Sequence, residues 1–291
     1  MPAPAPKIGV FVPQGWRMDL ADVADPVEKY ETMSRCALEA ERAGFDALFL
    51  FDHFHTVPTP HLESVFECWT SMAALARDTS TIRLGQMVTC NSYRPPSLLA
   101  KMASCIDVMS RGRVILGIGA GWYEHEYLAY GYEYPETPDR LRMLRESLQV
   151  IKAMWTQDEA TFEGRYYQVR GAINEPKPVQ KPHPPILVGG AFPQAARRAV
   201  RYGDGWAPIA GRGPDGDVDE LLPKFHQMLS EAGRDPQSVP VTLFGVPEDA
   251  DRLARYRDKA IARVVVMLPS ANSDTILPTL DRWAELIRRV R

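Results

Sequence analysis

Eight short, mostly apolar runs, at residues 8–12, 47–51, 83–89, 114–118, 186–188, 205–209, 241–246 and 263–268, alternate with segments of helical periodicity. Strands covered on both faces read as continuous apolar runs, the mark of parallel sheets flanked by helices. The helices between them are legible from spacing. Leu99, Met102, Ile106 and Met109 recur at three- and four-residue intervals, and Leu141, Leu144, Leu148, Ile151 and Trp155 repeat the rhythm one helix later. A helix over 28–43 meets Gly44, a residue that takes the left-handed turn ending a helix without steric cost. Eight such units predict an α/β fold of the (β/α)8 barrel type. No linker or shift of composition divides the chain, so one domain is expected over 1–291.

One interval breaks the even spacing. Sixty-seven residues, from Gly119 to Pro185, separate the fourth run from the fifth. After the helix around 140–155 comes a segment with the look of a hairpin at Glu163-Gly164. Pro176, Pro178, Pro182, Pro184 and Pro185 follow, and proline fixes φ while removing a donor, so this stretch is expected to be an extended, ordered excursion. The barrel therefore carries an insertion between strands 4 and 5.

A net charge of -3, with 45% hydrophobic and 24% charged residues, gives no electrostatic reason to expect nucleic acid or an anionic membrane as partner. No apolar run approaches the length of a membrane span. The N-terminus, Met1-Pro2-Ala3-Pro4-Ala5-Pro6, lacks the basic and apolar regions of a signal peptide. Cys36, Cys68, Cys90 and Cys105 are widely spaced with no CxxC, which favours a reducing, cytoplasmic setting.

The second run ends directly in Asp52, His53 and Phe54, on the face where α/β barrels keep their chemistry. Alone, this stretch supports either a hydrogen-bonded structural pair or a histidine placed to move a proton. The fourth run ends Gly117-Ile118-Gly119-Ala120-Gly121-Trp122 and the fifth in Gly189-Gly190, each before a helix. Both read as tight turns or as a backbone cradle for phosphate. The third run leaves the barrel through Met87, Val88, Thr89 and Cys90 to Pro95-Pro96. His53-Phe54-His55 has HxH spacing, but no further His, Lys or Asp set completes a metal site at the other strand ends. No G-x-S-x-G elbow is present.

As a set, residues 43–54 (AGFDALFLFDHF), 82–131, 161–169 (TFEGRYYQV), 176–190 and 196–208 resemble the luciferase-like monooxygenase superfamily of flavin and deazaflavin barrels. The likeness runs from about residue 7 to 209 and is nearest to the branch using coenzyme F420, an 8-hydroxy-5-deazaflavin. The resemblance implies that His53 is the catalytic histidine beside the reactive ring atom, with Asp52 against the ring system. It implies that Met87 and Val88 form a bulge, often with a non-prolyl cis peptide, that backs the ring, and that Thr89 belongs to the same cofactor-binding segment. Gly119, Ala120, Gly121, Gly189 and Gly190 match the backbone that meets the ribityl phosphate.

Trp122 stands where the sugar-phosphate dehydrogenases of this superfamily carry a catalytic glutamate, so glucose 6-phosphate is not the expected substrate. His53 is left as the one strong proton-transfer candidate, with Phe54, Tyr93 and Trp122 expected to wall the substrate space. The implied function is hydride transfer between F420 and a small organic molecule with an electron-poor C=C, C=N or carbonyl carbon, in a homodimer without a metal. An FMN-dependent monooxygenase and a non-catalytic cofactor-binding barrel are the rival readings.

Overall fold

The computed structural model describes residues 5–208, 218–269, 271 and 273–290. In chain order the elements are β1 (Lys7–Phe11), α1 (Pro26–Arg42), β2 (Ala47–Leu50), α2 (Cys68–Asp78), β3 (Arg83–Gln86), β4 (Thr89–Cys90), α3 (Pro96–Met109) and β5 (Val114–Gly119). The chain continues through α4 (Glu124–Ala129), α5 (Thr137–Thr156), β6 (Glu159–Glu163), β7 (Gln168–Ile173), β8 (Ile186–Gly189), α6 (Gln194–Tyr202) and β9 (Gly205–Ala207). It ends with α7 (Val218–Glu231), β10 (Thr242–Phe244), α8 (Ala250–Asp258), β11 (Arg263–Met267) and α9 (Ser273–Val290).

The strands pair in parallel in the order β10-β11-β1-β2-β3-β5-β8-β9, and a bridge between Trp206 and Val241 brings the last strand back to the first. This is a nearly closed eight-stranded barrel inside a ring of helices. Phe49 fills its interior because the neighbouring strands give way: a Cβ on Gly85 would lie 2.7 Å from the Phe49 ring, and one on Gly9 3.0 Å. Large against small at facing positions is how a small barrel packs its core. Phe11, Ala47, Met87, Ile115, Leu187, Ala207 and Val265 complete that interior cluster. The larger core lies between strands and helices, with Leu48, Leu84, Leu116 and Val264 facing Met33, Met72 and Leu148.

Local signals account for the helix ends. Asp25 caps α1 by accepting from the Val27 and Glu28 amides, with Pro26 at the first helical position, and Gly44 beyond it has φ 85°. Glu67 caps α2 through the Trp69 and Thr70 amides. β6 and β7 form the antiparallel hairpin, and the proline-rich segment after it reaches β8 with cis bonds at Glu175-Pro176 and Lys181-Pro182. The sixth and seventh runs are shorter than the apolar pattern suggests: β9 ends at Ala207, and β10 covers Thr242–Phe244. Ile209, expected in the sixth strand, lies outside the described residues, as do Met1 to Pro4 and Arg291. Among the described residues no helix is long and apolar enough to cross a membrane.

Candidate active site

The C-terminal ends of the barrel strands form an apolar floor of Phe51, Val88, Phe244 and Met267, partly buried and packed on the interior cluster. One edge is fixed by Gln14, whose amide donates to Phe51 O and Phe66 O and accepts from Phe51 N at 2.7–2.9 Å. The segment after β1 thus holds the loop after β2.

The third strand is not continuous over 83–89. It stops at Gln86, the Met87-Val88 peptide is cis as the resemblance implies, and pairing resumes at Thr89 with β5 alone. Val88 then lies over the ends of β5 and β8: a Cβ on Gly119 or on Gly189 would come within 2.7 Å of a Val88 methyl. The two glycines make room for this side chain, a packing reason that the strand-end pattern alone did not disclose. Gly121 (φ 77°) and Gly190 (φ 128°) are glycines on conformational grounds, since few other residues adopt that backbone.

Trp16, whose ring lies 3.9 Å from Phe51 of the floor, links the floor to His53. The His53 ring stacks on Trp16 with centroids 5.3 Å apart and planes 14° from parallel, while Trp122 and Tyr123 approach it edge-on at 6.2 and 6.1 Å. Its Nδ1 lies 2.9 Å from Oε2 of Glu126, on α4, which also accepts from the Tyr93 hydroxyl at 2.6 Å. Glu126 Oε1 takes the Phe54 and His55 amides at 2.6 and 3.2 Å. This carboxylate is wholly buried. Burial works to raise its pKa, but the hydrogen bond and charge of His53, with the Tyr93 and Phe54 hydrogen bonds, outweigh it and hold the group below the usual glutamate value.

Asp52 faces away from its neighbour. Its carboxylate accepts from both terminal nitrogens of Arg94 at 2.7 and 3.0 Å and from the Cys90 amide at 2.9 Å. Arg94 also pairs with Glu67, so the site loop, the third-strand exit and the start of α2 share one charge network. Burial opposes the Arg94 charge, yet Asp52 outweighs it and keeps its pKa raised. The Cys90 thiol, 3.0 Å from the Tyr127 hydroxyl, is pushed up to about 12, first by burial and then by Asp52.

His53, Met87, Val88, Gly119, Ala120, Gly121, Gly189 and Gly190 therefore converge on one end of the barrel, with Asp52 bracing the loop from beneath. Thr89 does not join them through its side chain. It is fully buried, and its hydroxyl accepts from Trp69 Nε1 on α2. Phe54 and Tyr93 pack together at 4.6 Å in an aromatic cluster with Tyr127 and Tyr132, with Tyr93 buried and Phe54 half-buried. Trp122 is at the mouth and 57% exposed. The two histidines of the HxH spacing diverge, since His55 contacts Thr56 O and His125 while His53 contacts Glu126. Glu126 is the residue that sequence reasoning missed. It lies 73 positions from His53, and its one local signal was a carboxylate in the first turn after the glycine segment.

The model of the luciferase-like monooxygenase family matches residues 7–281. The chain belongs to that family. An uncharacterized protein of Mycobacterium tuberculosis is 32% identical to this luciferase-like chain over 272 residues, 87% of this chain and 93% of the relative. An F420-dependent glucose-6-phosphate dehydrogenase of Microbacterium testaceum is 34% identical over 207 residues, covering 70% of this chain and 60% of that enzyme. Among solved structures, an F420-dependent secondary alcohol dehydrogenase in complex with an F420-acetone adduct superposes with a TM-score of 0.75 over 100% of both chains, at 22% identity. That last likeness is one of fold.

Proposed function

We propose that this barrel binds coenzyme F420 at its C-terminal mouth and transfers hydride between it and a small organic molecule with an electron-poor C=C, C=N or carbonyl carbon. The observation that carries the reading is His53, fixed by Glu126 and stacked on Trp16, which packs in turn on Phe51 of an apolar floor that includes Val88. The names of relatives that use F420 support the choice of coenzyme.

The residues present fit a planar deazaflavin with a phosphate-bearing tail. Phe51, Val88, Phe244 and Met267 offer a partly exposed apolar bed, packed on the interior cluster that includes Met87. Gly121 and Gly190 are only partly buried and carry no side chain between solvent and the backbone. With Ala120 they would hold the ribityl phosphate, while Gly119 and Gly189, buried beneath Val88, shape the strand ends that carry this backbone. Bound there, the coenzyme supplies a two-electron hydride carrier. The protein's own part is to orient both partners, exclude water with Trp16 and Trp122, and hold or move a proton at His53. The aromatic Trp122 beside His53, in place of a carboxylate, goes with a substrate other than a sugar phosphate.

Fluorescence titration of the apo-protein, at matched salt, with F420 and with FMN tests the reading. F420 is expected to bind more tightly. FMN binding at least tenfold tighter, a difference of about 1.4 kcal/mol, would overturn the coenzyme assignment in favour of a flavin monooxygenase.

A further inference from the structure

Four donors meet on the two oxygens of Glu126, and they are not equivalent. The Phe54 and His55 amides on Oε1 are backbone groups whose polarity cannot reverse. The His53 ring and the Tyr93 hydroxyl on Oε2 can each either donate or accept. An ionised carboxylate only accepts, so His53 Nδ1 carries the hydrogen, and the lone pair of the neutral ring is on Nε2. That nitrogen has no hydrogen-bond partner among the described residues.

We propose that Glu126 is a positioning residue that locks His53 in its Nδ1–H tautomer, so that the ring exchanges protons with bound ligands only through Nε2. The assignment of proton transfer to His53 rests on the function proposed above, whereas the tautomer does not depend on any coenzyme. The carboxylate acts from the far side of the ring, on a separate helix, and it also pins the loop that bears His53. Both tasks fall to one side chain, and a single substitution separates them.

Glu126→Gln changes one oxygen to NH2 with almost no change of volume. The two backbone amides require an acceptor, so the new amide oxygen stays with them and its NH2 takes the place of Oε2. There it donates. His53 Nδ1 must then accept, which moves the ring hydrogen to Nε2, and the Tyr93 hydroxyl must turn to accept as well. The loop stays anchored while the proton-exchanging nitrogen is inverted.

The test is ¹⁵N-histidine NMR of the full-length protein without coenzyme, at a pH where the ring is neutral, with the His53 signal assigned by its loss in His53→Asn. The Nδ1–H form is expected in the wild type, the Nε2–H form in Glu126→Gln, and the Nδ1–H form again in Tyr93→Phe, where the carboxylate remains. An Nε2–H ring in the wild type overturns the proposal. So does an unchanged ring in a folded Glu126→Gln protein, or inversion in Tyr93→Phe. If Glu126→Gln does not fold, the wild-type and Tyr93→Phe spectra decide. With F420 and an accepted substrate, Glu126→Gln should lower kcat about 10²-fold or more, the range of acid–base loss, with KM for the coenzyme within about threefold. Nδ1–H spectra with no F420-dependent turnover by the wild type would leave the positioning role standing and remove the proposed function.

Discussion

Gly119 and Gly189 illustrate what a residue identity does and does not disclose. Glycine at the end of a barrel strand admits two readings, close approach to a ligand or close approach to the protein itself. The structure supplies the second in full, because Val88 occupies the space a Cβ would need. The same blindness hid Glu126: a chain pattern records neighbours along the strand or helix, and His53 finds its partner 73 positions away. His53 itself was legible because a titratable side chain directly after a buried parallel strand has few other places to go. The packing account of Gly189 makes a measurable claim. Gly189→Ala places a methyl 2.7 Å from a Val88 carbon, so overpacking should cost about 1–3 kcal/mol in urea denaturation. Combined with Val88→Ala, most of that penalty should vanish, since contacting residues are not additive. A cost of the same size in both backgrounds would mean that Val88 is not the obstacle.

At the scale of elements, the order of strands and helices was readable, and so was the hairpin of the insertion, because periodicity and turn residues are local properties. The break between β3 and β4 was not. The run over 83–89 mixes Arg83, Gln86 and Thr89 with apolar residues, and that pattern does not mark where pairing passes to β5 alone; only the family resemblance pointed to a bulge at Met87-Val88. The closing of the helix ends at the opposite side of the barrel was equally silent. Arg113, immediately before β5, is buried and donates to the carbonyls of Ala76, Thr79, Ile82 and Ser110 and to the Thr79 hydroxyl, at 2.6–2.9 Å. It satisfies the C-terminal ends of α2 and α3 at once, which isolated helices leave open. Burial lowers its pKa, and the acceptors that hold it are carbonyl and hydroxyl oxygens. Arg113→Met would strand those carbonyls, and on the order of 3 kcal/mol should be lost, at about 1–3 kcal/mol per orphaned buried group and with partial relief by water. The urea midpoint should fall with an unchanged slope. Lysine at 113 should recover only part of the loss, since its ammonium cannot span the acceptors that the planar fork reaches. Full recovery by lysine would show that charge, not the fork, is what the helix ends require.

Over the whole molecule, carboxylates that gather backbone amides sit at both ends of the barrel. Glu41 accepts from the Ser80, Thr81 and Ile82 amides below β3, while Glu67 and Glu126 do comparable work at the mouth. In each, burial acts to raise the pKa and is outweighed by hydrogen bonds, joined by the charge of Arg94 at Glu67 and of His53 at Glu126, so the folded value lies below the usual one. The sign follows from linkage. A folded pKa below the unfolded one means that the unfolded chain binds more protons as the pH drops, so the stabilisation is present above the unfolded value of about 4.3 and is lost as the pH falls through the folded values. Thermal melts should therefore be nearly level from about pH 7 to about pH 5 and decline steeply below about pH 4.3. Glu126→Gln should melt lower than the wild type at neutral pH and lose less on acidification, because one of the groups that must be protonated is gone. Glu41→Gln should do the same from the other end, by a smaller amount, since solvent screens that more exposed carboxylate. If the two variants and the wild type lost stability in parallel down to pH 3, these carboxylates would not be the source of acid lability, and the amide-gathering contacts would be worth little to the fold.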